Sequence, residues 1–168
     1  QVGHSRRITS LAFGPGGELM ATASGLDDGM VKIWRPATGE LVRTLDGEDH
    51  VSISPDGKYV ASGNGGGPIR MWAVDGWELV RELEGAGPLQ FSATGDHLIA
   101  EADPERAGGE GKLMRWEVGT WKEVGDPLEF GHEAALTAMV TSADGRIVAT
   151  GSFDESIKVW DMAGEGEL

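Results

Sequence analysis

The sequence contains no cysteine. Disulfides and thiolate chemistry are therefore excluded, and a zinc site would need histidine and carboxylates alone. The absence fits a reducing, cytoplasmic setting without requiring one. Basic residues are scarce: 14 Lys and Arg stand against 28 Asp and Glu, for a formal net charge of −14. Such a surface repels a phosphate backbone, so no nucleic acid partner is expected. Arg6-Arg7 is the only basic cluster and is too small to reverse that expectation. No apolar run approaches the roughly 18 to 20 residues that cross a bilayer, and no membrane role is expected. No apolar run follows Gln1-Val2-Gly3-His4-Ser5-Arg6-Arg7, so no signal peptide is visible, and the missing initiator methionine suggests an excerpted chain.

Motifs of catalysis are missing as well. There is no phosphate-cradling Gly-Lys-Ser/Thr and no nucleophile elbow. Gly63-Asn64-Gly65-Gly66-Gly67-Pro68 is glycine-rich but joins two strand-like runs, as a long hairpin loop does. The histidines His4, His50, His97 and His132 have neither i, i+2 nor i, i+4 pairing with nearby carboxylates, which speaks against a metal site. The acidic turns Asp27-Asp28-Gly29 and Asp103-Pro104-Glu105 do not follow the EF-hand spacing. No catalytic residue, cofactor or metal is expected.

What the chain does have is a repeat ending in tryptophan. Trp34, Trp72, Trp116 and Trp160 each close a short β-type run, at spacings of 38, 44 and 44 residues. Periods of this size mark repeat arrays or propellers. The turns recur in phase as Pro15-Gly16-Gly17-Glu18, Pro55-Asp56-Gly57-Lys58, Ala93-Thr94-Gly95-Asp96 and Ala143-Asp144-Gly145-Arg146, where glycine tolerates positive φ. A further run follows the tryptophan as Leu41–Leu45, Leu79–Leu83 and, less regularly, Trp121–Val124. No amphipathic helix of useful length interrupts the pattern. Four antiparallel strands per unit, repeated radially, predict an all-β propeller with repeats at approximately 3–46, 47–84, 85–130 and 131–168.

The chain resembles the WD-repeat β-propeller family over essentially its whole length. The fourth repeat carries the fullest form, with Gly131-His132, Thr150, Asp154 and Trp160-Asp161. The resemblance implies a network in which Asp154 accepts from His132, His132 relays to Thr150, and Thr150 to the Trp160 indole. Buried Trp and His N–H groups need such partners. The first repeat supplies His4, Asp28 and Trp34, with Thr22 or Ser24 as the hydroxyl. The second has His50 but no glycine before it and Gly66 where Asp is expected. The third lacks both His and Asp, so these two blades are expected to rely on apolar packing. Arg35, Ala73 and Glu117 replace the family's Asp after the tryptophan in three repeats.

Family propellers usually have seven blades, sometimes six or eight, whereas this chain holds four. By alignment with Gly39-Glu40-Leu41, the closing Gly166-Glu167-Leu168 begins an outer strand that the last blade lacks. The chain is thus expected to be a half or a fragment of a 7–8-bladed ring. Its partners would be the remaining blades of a parent chain, or a second copy in an eight-bladed homodimer.

The resemblance implies a non-catalytic scaffold binding a protein or peptide through the loops of the top face. From turn glycine to blade tryptophan the distance is 15 residues in repeats two and four, 17 in repeat one and 21 in repeat three. The extra residues fall in top-face hairpins, where insertions mark a binding side or neutral drift. Candidate contact residues are Arg6, Arg7, Asp27, Glu105, Arg106 and Phe153. Trp77 and Trp121, five residues after their blade tryptophans, are expected to pack on the neighbouring blade. A different class of role is a sensing or assembly appendage of a larger, enzyme-containing protein.

Overall fold

The computed structural model describes residues 3–25, 28–47, 49–64, 66–102, 112–129, 131–162 and 166–167. Among them the regular structure is all β, apart from one 3-10 turn at Pro15–Gly17. Four antiparallel sheets, each of four consecutive strands, form a four-blade propeller arrangement. Blade 1 comprises β1 (Ile8–Phe13), β2 (Met20–Ser24), β3 (Met30–Arg35) and β4 (Glu40–Asp46). Blade 2 comprises β5 (His50–Ile53), β6 (Tyr59–Gly63), β7 (Ile69–Ala73) and β8 (Leu79–Leu83). Blade 3 comprises β9 (Ala86–Phe91), β10 (His97–Glu101), β11 (Lys112–Glu117) and β12 (Leu128–Glu129). Blade 4 comprises β13 (Leu136–Thr141), β14 (Ile147–Ser152), β15 (Ile157–Asp161) and the two-residue β16 (Gly166–Glu167). The fourth blade thus has three full-length strands, and its outer position holds only a stub paired with Trp160 and Asp161.

The hairpin between the first two strands owes its shape to a serine as well as a glycine. Ser54, Ser92 and Ser142 stand three residues before Gly57, Gly95 and Gly145, whose φ values are 73°, 80° and 69°. Each serine hydroxyl accepts the N–H that opens the next strand, from Tyr59 at 2.9 Å, His97 at 3.0 Å and Ile147 at 2.9 Å. Blade 1 has Gly14 at that place and so keeps only the backbone bond that all four hairpins share, from its amide to Leu19 O at 2.8 Å.

Each pair of consecutive blades shares an apolar core. Ala21, Val31 and Ile33 of blade 1 pack with Val51, Ile53 and Val60 of blade 2. Ile69 and Met71 pack with Leu89, Phe91 and Trp116. Ile99 and Leu113 pack with Leu136, Val148 and Trp160. In the middle of the array the second strands are buried on both faces, which their small side chains (Ala61-Ser62-Gly63, for example) permit. Serines also tie the inner strands together: Val51 N–H donates to Ser10 Oγ at 3.3 Å, and Phe91 N–H to Ser52 Oγ at 3.2 Å. β1, β5, β9 and β13 together line one central opening of about 370 Å3.

Blade 3 departs from the expected outer run. Trp121–Val124 contributes only a bridge between Glu123 and Trp116, and the paired strand is β12 on Lys112 and Leu113. Gly125, at positive φ, and Pro127, which has no N–H to donate, interrupt continuous pairing there, whereas the positive φ of Trp121 is shared with Trp77 of blade 2, where pairing continues. Trp77 packs against the blade 1–2 core and Trp121 against the blade 2–3 core. The Trp121 ring meets Tyr59 edge-on, with centroids 5.0 Å apart.

Candidate interaction face

Antiparallel order brings the loops entering β1 and β13 to the same end of the array as the β2–β3 and β14–β15 hairpins. This end is the top face. In blade 1, His4 Nδ1 lies 2.6 Å from Asp28 Oδ2 and its Nε2 lies 2.8 Å from Thr22 Oγ1. Trp34 Nε1 donates to Thr22 Oγ1 at 2.8 Å. A charged carboxylate only accepts, so Nδ1 carries the proton, and in the neutral ring Nε2 accepts from Thr22. Of the two hydroxyls open to the sequence reading, the register selects Thr22, which stands opposite Lys32. Ser24 Oγ is buried with no hydrogen-bond partner among the described residues.

Blade 4 repeats the two histidine contacts, with His132 Nδ1 at 2.8 Å from Asp154 and Nε2 at 2.9 Å from Thr150 Oγ1, but the expected bond between Thr150 and the Trp160 indole is not formed. His132, Thr150 and Trp160 are all buried. Two elements of these networks carry no signature in the single-residue pattern. The Ser5 hydroxyl donates to Asp28 at 2.5 Å, and the Ser156 hydroxyl to Asp154 at 2.6 Å. Lys32 Nζ and Lys158 Nζ each donate at 2.7 Å to the carbonyl of the glycine before the histidine, Gly3 and Gly131. Both lysines stand two residues before a blade tryptophan, a repeat visible in the sequence only once its target is known.

These donors set the charge of the loops. The Ser5 hydroxyl, then the His4 ring, hold Asp28 down at about 2. The Ser156 hydroxyl holds Asp154 well below the usual carboxylate range against its partial desolvation, with help from His132 and the Glu133 and Ser156 amides. The acidic groups are therefore fixed acceptors at neutral pH.

Blades 2 and 3 differ. His50 sits inside β5 opposite Gly63, because the connection before this blade is too short to carry it into a loop. Desolvation by burial pushes its pKa down. Ser62 and Trp72 occupy the register positions of Thr22 and Trp34, yet Ser62 Oγ and Trp72 Nε1 are buried without a partner among the described residues. In blade 3, Ala100 and Met114 stand at the positions of Thr22 and Lys32, and Trp116 is buried in the blade 2–3 core, 1% exposed.

Arg6 and Arg7 are exposed at the top face, just before β1. Phe153 is 75% exposed on the β14–β15 turn, and it does not line the central opening. Its amide donates to Ala135 O at 3.1 Å, and the next amide, Asp154, donates to Ser152 Oγ at 3.1 Å. Asp27, Glu105 and Arg106 lie outside the described residues. No cluster of three or more metal-ligating side chains occurs among those described.

The family model of the WD domain, G-beta repeat, matches residues 1–35, 39–72 and 125–161, more than half of the chain. The chain belongs to the WD-repeat family. The matches end beside Trp34, Trp72 and Trp160 and pass over the tryptophan of blade 3, the blade without His and Asp. A 49-residue stretch is 47% identical to the Ribosome biogenesis protein BOP1 homolog of Drosophila willistoni, covering 29% of this chain and 6% of that protein. A 60-residue stretch is 37% identical to the uncharacterized WD repeat-containing protein sll1491 of Synechocystis, covering 33% of this chain and 17% of that protein. The chain therefore spans a small part of the length of either relative. WD-repeat propellers serve generally as non-catalytic scaffolds for protein interaction, and neither relative's name is that of an enzyme.

Proposed function

We propose that this chain is a non-catalytic scaffold that binds a protein or peptide through its top-face loops. The supporting observation is the presentation of Phe153. An aromatic ring 75% exposed to solvent stands on a turn whose amides are bonded on both sides and whose next residue is locked into the His132 network. A rigid, exposed aromatic loses little entropy on binding and makes an efficient anchor. Arg6 and Arg7, beside the corresponding network of blade 1, add charge that an acidic partner segment would meet. Asp27, Glu105 and Arg106 are proposed for the same surface from the sequence alone and lie outside the described residues. A second reading, an assembly module within a larger protein, is favoured by the small share of each relative that the chain covers.

A random peptide library displayed on phage, selected on the immobilised chain, tests the first reading. Selected peptides should bind Phe153→Ala about tenfold or more weakly, as loss of an anchor does, with its melting temperature unchanged. Peptides indifferent to Phe153→Ala and to Arg6→Ala/Arg7→Ala would count against a top-face site.

A further inference from the structure

The turns at the end opposite the top face are not alike. In blade 4, Arg146 follows the turn glycine and Asp161 follows the blade tryptophan, and the two pair across the hairpin. Arg146 Nη2 lies 2.6 Å from Asp161 Oδ2, and Arg146 Nε donates to the same carboxylate at 3.1 Å. In blade 2 the register puts Lys58 and Ala73 at these positions. Ala73 carries no carboxylate, and Lys58 Nζ lies instead 3.0 Å from Asp56 Oδ2 on its own turn.

A cavity of about 370 Å3 opens beside them, lined by Gly57, Lys58, Tyr59, Ala73, Val74 and Asp75. All six residues belong to blade 2, which packs against blade 1 on one side and blade 3 on the other. The backbone around the cavity is fixed, since the Val74 amide donates to Lys58 O at 2.8 Å and the Ala73 amide to Glu78 O at 2.9 Å. The Tyr59 ring is held by its edge-on contact with Trp121 of blade 3. Asp75 and nearby Glu78 are exposed, and among the described residues neither carboxylate has an ionic partner. With Lys58 taken by Asp56, the unmatched charge at the cavity is negative.

We propose that this cavity takes an arginine side chain from a basic segment of a partner protein. The apolar stem of an arginine suits Ala73 and Val74, while its head needs charge and a flat partner. A guanidinium meets a carboxylate through a planar fork and is attracted to an aromatic ring, and Asp75 and Tyr59 supply both in one cavity. The formal net charge of −14 draws a basic segment toward the chain. The site stands apart from the top-face loops, so one can fail without the other.

The test is titration of the isotopically labelled whole chain with the acetylated, amidated tripeptide Gly-Arg-Gly at low ionic strength, read by amide chemical shifts. The amides of Gly57, Lys58, Val74 and Asp75 should move together and saturate. The same tripeptide with citrulline in place of arginine, which keeps the shape and loses the charge, should bind about fivefold or more weakly. Asp75→Asn should weaken the arginine peptide about threefold or more. Asp96→Asn makes the same charge change in the corresponding turn of blade 3, outside the cavity, and should leave binding unchanged. Equal losses from Asp75→Asn and Asp96→Asn, or shifts scattered over the acidic surface, would overturn the proposal in favour of general charge attraction. Citrulline binding as well as arginine, or amides unmoved at every soluble concentration of the peptide, would overturn it equally. If Asp75→Asn fails to fold, the citrulline comparison decides alone.

Discussion

The indole nitrogen of Trp34 lies 2.8 Å from the Thr22 hydroxyl, whereas Trp72 and Ser62, in the same register one blade later, leave both atoms without a partner among the described residues. Thr22 also meets His4 Nε2 at 2.8 Å, whereas His50 sits inside β5 opposite Gly63. Thr22→Val should therefore cost about 1–3 kcal/mol, because it strands both the His4 and Trp34 nitrogens. Ser62→Ala removes a hydroxyl that is already unmatched and should change stability by less than about 0.5 kcal/mol, or raise it. Urea unfolding of the two variants side by side checks both values.

The network also sets the acid limb of stability. Asp28 is held at about 2, first by the Ser5 hydroxyl, while an unfolded aspartate titrates near about 3.9. A depressed folded value means that the stabilisation is complete above roughly pH 4 and disappears as pH falls through about 2. Asp28→Asn should be less stable than the native chain at neutral pH and should lose less between about pH 4 and pH 2. Urea midpoints across that window read the difference; parallel curves for the two proteins would contradict it.

Trp77 and Trp121 adopt φ values of 57° and 55° at the place where blade 1 has Gly39 at 70°. Side chains carrying a Cβ enter that region at a cost of roughly 1–2 kcal/mol. Packing on the neighbouring blade offsets it, including the edge-on contact of Trp121 with Tyr59. Both Trp121→Ala and Trp121→Gly should destabilise, but glycine by about 1 kcal/mol less, since it alone is free of the steric penalty. Thermal denaturation of the two variants gives the order; alanine equal to or better than glycine would show that the backbone has relaxed.

Much of the fold was legible because tryptophan spacing and turn glycines report strand phase directly, and the His4–Asp28 and His132–Asp154 pairs sit where a repeat reading puts them. The insertion in the first repeat made Thr22 and Ser24 equivalent by counting, and only strand register separates them. His50 was readable as a histidine but not as a strand residue, because its place depends on the length of a loop. The outer strand of blade 3 moved to β12 because Gly125 and Pro127 interrupt the nearer run. The reach of Lys32 and Lys158 to Gly3 and Gly131 was hidden for a different reason. Alternation assigns a side chain to a face, but not to a carbonyl on a distant loop.

The most direct measurement is amide chemical-shift mapping of the isotopically labelled chain, titrated with a peptide selected on it from the displayed library. Perturbations grouped at Arg6, Arg7, Glu133 and Phe153 would support a top-face binding scaffold. Perturbations confined to the opposite end, at Gly39, Trp77 and Trp121, would contradict it.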